Sequence, residues 1–168
     1  MLLFIPLFNR VIYPAFVRFW PLTPLRKIAL GLFLTVPAFL LPAWLEARLD
    51  AGESVNIVWQ LGGYIIITAA EVLVSITALE FSYTQAPKKM KSLVMGAFLM
   101  SVSIGNFFAA AVNFFIQNPD GTSKLDGASY YLFFAAAMLV TAILFVPVAA
   151  WYKERRYIQD EAPGEAAA

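Results

Sequence analysis

The residue with the clearest potential for chemistry is a carboxylate inside a long apolar segment, Glu71. It belongs to a set of polar side chains that recur at helical spacing and share one helix face, the Glu71 stripe: Tyr64, Thr68, Glu71 and Ser75. The opposite positions are mainly Ile, Val and Leu. Because a charge in hydrocarbon is costly, such a stripe belongs against water, a ligand or polar partner helices.

Three functions suit Glu71: binding a cationic group, carrying a proton, or pairing with a basic side chain. The structural alternative is a buried glutamate that is neutralised by protonation or held in an ion pair between packed helices. Glu80, near the end of the same segment, lies beside Tyr83 and a lysine cluster. Without further context it is interpreted as an interfacial residue with cations nearby.

A second, weaker polar set lies in a later apolar segment and also shares one helix face: Ser103, Asn106, Asn113 and Gln117. Hydrogen bonding between packed helices explains it at least as well as a substrate pathway does. Gly96 and Gly105 are small enough to permit close helix approach. Phe98 would ordinarily be a core or lipid-facing residue.

Composition excludes several classes of protein. The 168 residues are 61% hydrophobic and 14% charged, with no histidine and no cysteine. A Ser-His-Asp hydrolase or a zinc enzyme cannot be built from such a chain, and we expect no enzyme, metal site or cofactor. The net charge of +1 is too small to suggest nucleic-acid binding.

Uncharged gaps between the charged residues mark the segments that could cross a lipid bilayer, since a crossing needs about 20 apolar residues. Four full spans are predicted: Ile28–Leu45, Asn56–Leu79, Ser92–Ile116 and Ser129–Trp151. A half-span near Leu2–Tyr13 precedes them, and we interpret Met1 as a start inside a helix, hence a truncated chain. The prediction is an all-α membrane protein, with a helical bundle over residues 1–158 and a disordered cytoplasmic tail at 159–168.

Orientation follows from the basic residues of the loops, because Lys and Arg accumulate on the cytoplasmic side. The first loop, the third loop and the tail are rich in Lys and Arg. The second loop has only Arg48 and the fourth only Lys124. This alternation supports four crossings and predicts a multi-pass cell-membrane protein with a cytoplasmic C-terminus.

The sequence resembles the proton-dependent oligopeptide transporters, the POT family of the major facilitator superfamily. The run that carries the resemblance is WQLGGYIIITAAEVLVSITALEFSYTQAPKKMKS, with a Glu-x-x-x-Ser signature at Glu71–Ser75 and LEFSYTQAP at residues 79–87. It resembles the family's tenth helix and the loop after it. IPLFNRVIYP resembles the end of the eighth helix, Gly105-Asn106 a Gly-Asn pair in the eleventh, and YYLFFA the start of the twelfth.

The resemblance implies that residues 1–158 are helices eight (partial) to twelve, part of the C-terminal bundle of a major facilitator superfamily fold. It implies that Glu71 faces the central cavity, engages the α-amino group of a peptide and takes part in proton coupling. Ser75 would lie one turn further along. Phe98 stands where the family often has tryptophan, which keeps an aromatic wall without the indole donor. With the stripe, the expected substrate-binding set is Glu71, Ser75, Phe98, Tyr64, Thr68 and Asn106.

The segment from Glu80 to Lys91 matches the family's cytoplasmic hinge between helices ten and eleven, which implies a gating role for Glu80 and Tyr83. The implied function is part of a proton-coupled symporter for di- and tripeptides, in which this segment supplies one wall of the cavity. Its partners would be peptides, protons, the lipid bilayer and the N-terminal helices of the same carrier. The alternative is a stand-alone four-helix membrane protein with an accessory or structural role.

Overall fold

The computed structural model describes residues 23–118 and 123–152, together with the isolated positions Pro6, Arg10 and Pro14. These ranges contain four helices that are long and apolar enough to cross a membrane: α1 (Pro24–Asp50), α2 (Val58–Gln85), α3 (Lys91–Ile116) and α4 (Ala128–Trp151). The prediction of four spanning helices is confirmed. Apart from two of the isolated positions, the half-span near Leu2–Tyr13 lies outside the described residues, as does the tail at 159–168, so both stay predictions.

The helices extend beyond most of the predicted spans because charged residues end the hydrocarbon segment without ending the helix. α1 begins at Pro24, and the Thr23 hydroxyl caps it by accepting a hydrogen bond from the Arg26 backbone N–H at 3.4 Å. α2 begins at Val58 rather than Asn56, since the Asn56 side chain accepts a hydrogen bond from the Val58 N–H at 3.0 Å. A proline at position 87 follows the far end of α2.

α1 is the central helix of the described residues, and α2 and α4 both pack against it. Phe39 of α1 stacks on Phe134 of α4, with the ring centroids 6.0 Å apart. Trp44 of α1 meets Trp59 of α2 edge to face at 5.7 Å. These contacts hold α2 and fix which of its faces remains uncovered.

α3 differs from the other helices because none of its residues is buried. It packs against the last part of α2, Thr77–Gln85. A 3₁₀ turn at Lys88–Met90 connects the two helices. A side chain added at Gly96 or Gly105 would meet no atom within 4 Å, so the predicted close approach is not formed with the described helices. At its other end, Asn113 accepts a hydrogen bond from the Tyr130 hydroxyl of α4 at 3.0 Å.

Candidate functional site

The Glu71 stripe lies on a face of α2 that the described residues leave largely uncovered, although Thr68 is partly buried. α2 meets α1 through small or apolar side chains, among them Ala70 at 1% exposure and Leu73 at 8%. One residue step turns an α-helix by about 100°, so Glu71 points away from the face that contains its buried neighbour Ala70. Glu71 and Ser75 are exposed, and Tyr64 is 62% exposed.

The hydrogen-bonding capacity of the stripe is largely unused. The Thr68 hydroxyl donates to the Tyr64 carbonyl at 2.7 Å, which satisfies its proton but leaves its oxygen able to accept. Glu71 has no hydrogen bond or ion pair with any residue of 23–118 or 123–152. The packing ion pair considered as the structural alternative is therefore not formed within these ranges.

The helix changes its hydrogen-bonding pattern next to Glu71. Residues Val72–Ile76 form a π-helical turn, so Glu71 ends the first α-helical part of α2 and Ser75 lies inside the turn. π-Helical turns inside α-helices occur frequently at functional sites. This turn is not among the predicted features, since VLVSI contains no proline, glycine or other residue that would mark it.

Phe98 and Asn106, the two candidates on α3, do not join the stripe. Phe98 is partly buried and Asn106 is exposed, but the main contact of α3 with α2 is along Thr77–Gln85, beyond Glu71. Asn113, from the weaker polar set, bonds the Ala109 carbonyl at 2.9 Å in addition to the Tyr130 hydroxyl. For that residue the helix-packing interpretation is the better one.

The predicted gating residues lie at the end of α2 beside the connection to α3. The Lys91 ammonium lies 4.0 Å from the centroid of the Tyr83 ring, a cation–π contact that joins the two helices. Phe81 contacts Tyr152, the residue that follows α4, edge to face at 5.7 Å. Glu80 is exposed. The end of α2 is therefore joined to α3 by the Lys91–Tyr83 contact and to the end of α4 by the Phe81–Tyr152 contact.

A groove of about 490 Å³ lies between α1 and α2 at the other end of the stripe. Its lining is mostly apolar, and its polar or aromatic members are Phe39, Glu46, Asn56, Gln60, Tyr64 and Tyr131. Tyr64 therefore belongs to both the stripe and the groove.

A model of the PTR2: POT family matches residues 1–133. This chain belongs to the POT family. It is 29% identical to the peptide transporter PTR2 of Saccharomyces cerevisiae over 96% of its own length, which is 27% of that protein. It is 37% identical to solute carrier family 15 member 2 of Rattus norvegicus over 67% of its length, which is 14% of that protein.

Solved structures of the POT family share the fold. The crystal structure of an auto-inhibited POT family peptide transporter matches 94% of this chain with a TM-score of 0.86 and 32% identity. The POT family transporter PepTSo matches 89% with a TM-score of 0.77 and 35% identity. These matches confirm the predicted all-helical fold as part of a major facilitator superfamily bundle. The chain spans about a third of the length of each of those transporters, 32% and 31%.

Proposed function

We propose that this POT family chain supplies one wall of the central cavity in a proton-coupled symporter for di- and tripeptides. The observation that carries the proposal is the Glu71 carboxylate, which is exposed on a polar stripe of a membrane-spanning helix and has no ion pair within residues 23–118 and 123–152. The relatives include proteins named as peptide transporters, which supports the same activity. No comparison favours the alternative of a stand-alone accessory protein.

The charge of Glu71 requires a partner in the assembled carrier. An ionised carboxylate on a lipid-facing surface is costly, so the stripe belongs against other helices of the carrier or a water-filled cavity. A peptide ammonium is a partner of the right charge. Because no described residue pairs with Glu71, that position is open to a ligand on this part of the chain.

The same carboxylate can couple substrate to protons. For carboxylates in general, desolvation favours the protonated form, whereas a nearby cation favours the charged form. A proton that neutralises Glu71 would release the ammonium, and the carrier could then change the side to which its cavity opens. Alternating access of this kind needs two halves that move around a midplane site.

The other candidates complete the proposed cavity. Ser75 and Thr68 would offer hydroxyl oxygens beside Glu71, and Tyr64 would border the site toward the groove. Phe98 and Asn106 of α3 would join from the side once further helices of the carrier press α3 against the cavity. Glu80 and Tyr83 would act at the hinge, with the hinge and the C-terminus on the cytoplasmic side.

Competition uptake in the full-length carrier tests the proposal. We expect Glu71→Gln to abolish proton-driven uptake and to weaken binding of dipeptides with a free amino terminus more than that of N-acetylated ones. Glu71→Asp should do less harm, because the charge remains and only the reach is shortened. Glu53→Gln is the matched control, since Glu53 lies in a loop and pairs with Arg48 at 3.4 Å. Unchanged affinity and pH dependence in Glu71→Gln would contradict both roles.

A further inference from the structure

The π-helical turn of α2 lies directly on a glycine of α1, Gly31. A Cβ atom built on Gly31 would lie 2.6 Å from Val74 Cγ2, 2.8 Å from Leu73 Cβ and 3.1 Å from the Ala70 carbonyl oxygen. All three atoms belong to the turn or to the residues just before it. Of the glycines in the described ranges that lie within a helix, this is the one with the closest contacts to a neighbouring helix.

The neighbours of Gly31 cannot yield to a side chain without backbone movement. Leu73 Cβ and the Ala70 oxygen are fixed to the backbone, and Val74 is β-branched and therefore stiff. Leu73 and Val72 form a buried cluster with Leu34, at 8% and 3% exposure for the first two. A larger residue at position 31 would therefore push α2 away from α1 or force the turn to rewind.

The position of the turn matters because it separates two groups of proposed functional residues. Glu71 precedes the turn, whereas Glu80 and Tyr83 follow it. A π-helical turn bonds each carbonyl five residues ahead instead of four, so residues after it are out of α-helical register by about one residue, or about 100°. The turn thus sets the direction of the hinge segment relative to Glu71.

We propose that Gly31 is a positioning residue for the Glu71 site. Because Gly31 has no side chain, the π-helical turn Val72–Ile76 can pack directly against α1. The turn holds Glu71 and Ser75 in position. It also fixes the helical register of Glu80 and Tyr83 relative to them. Gly31 itself does not contact the ligand. The inference rests on the proposed function of Glu71 as a ligand for the peptide ammonium.

Transport assays on the full-length carrier test the positioning role. We expect Gly31→Ala to reduce discrimination between free and N-acetylated dipeptides by about tenfold, about 1.4 kcal/mol of differential binding. The loss of discrimination should appear in KM. Combining Glu71→Gln with Gly31→Ala should reduce discrimination little further, because both changes remove the same interaction. Gly62→Ala is the matched control, since a Cβ at Gly62 meets no atom within 4 Å.

A second variant guards against a carrier that simply fails to fold. Val74→Ala removes the atom nearest to the added methyl, so Gly31→Ala with Val74→Ala should recover part of the discrimination. If the paired variant is no better than Gly31→Ala, or if Gly31→Ala discriminates like the wild type, the positioning role is wrong.

Cysteine accessibility provides a measurement that needs no transport. Leu79 and Tyr83 are 41% and 49% exposed, whereas Ala78 and Ser82 are partly buried. If Gly31→Ala rewinds the turn, maleimide labelling of single cysteines should shift from positions 79 and 83 to positions 78 and 82. An unchanged labelling pattern would overturn the proposal. If labelling shifts but Glu71→Gln leaves discrimination between free and N-acetylated dipeptides intact, the proposed function is wrong. The packing of the turn against Gly31 would still be supported.

Discussion

The contact between Lys91 and Tyr83 should hold the connection between α2 and α3 closed. The ammonium lies 4.0 Å from the ring centroid, and Tyr83 is 49% exposed. At an exposed site such a contact contributes about 0.5–1 kcal/mol. Removing it should therefore raise the open population of the hinge by about two- to fivefold.

A buried residue of the same connection reports hinge opening. Ala86 is 3% exposed and lies between α2 and the 3₁₀ turn, so a cysteine there reacts with maleimide only when the connection opens. We expect Tyr83→Leu and Lys91→Met each to raise the labelling rate of Ala86→Cys by about two- to fivefold in the full-length carrier. Tyr83→Phe should label like the wild type, because the ring remains.

The double variant decides whether the two residues act as a pair. If they do, Tyr83→Leu with Lys91→Met should label no faster than either single variant, which is the behaviour of coupled neighbours. Lys89→Met is the control, since Lys89 is an exposed lysine of the same connection. Rate increases that multiply in the double variant, or an equal increase in Lys89→Met, would refute the reasoning.

Two further outcomes concern the chain as a whole. The isolated chain should show no counterflow of labelled dialanine in proteoliposomes, because it carries only one wall of the proposed cavity; saturable uptake driven by a proton gradient would contradict this. In the full-length carrier, a cysteine at Ser123 should react with an impermeant reagent from outside and one at Ser92 should not, as a cytoplasmic hinge requires. The reverse pattern would invert the orientation.

The sequence predicted the four helices well because the cost of charge in hydrocarbon is a strong and local signal. Errors at the boundaries have a physical cause. Arg26 and Arg48 were placed outside the first span, yet both lie in α1, since a helix continues into the interface where charges are solvated. The predicted span includes Asn56, yet this residue lies before α2, where its side chain accepts a hydrogen bond from the Val58 N–H, a local turn contact that asparagine favours.

The surroundings of Glu71 could be predicted only in part. Helical spacing placed Tyr64, Thr68 and Ser75 on its face, because a regular period needs no tertiary information. The π-helical turn and its packing against Gly31 could not be predicted from the sequence. They depend on a contact between two helices, and a single glycine in an apolar run gives no sign of what it packs against.

The unequal covering of the helices indicates where the rest of the carrier must bind. α3 is fixed at one end by Lys91 and at the other by Asn113, whereas no described residue covers its middle. That middle presents Phe107, 75% exposed, beside the exposed amide of Asn106. Lipid can cover the first but not the second, since an unsatisfied amide in hydrocarbon costs several kcal/mol. We therefore expect further helices of the carrier to cover the Asn106 side of α3.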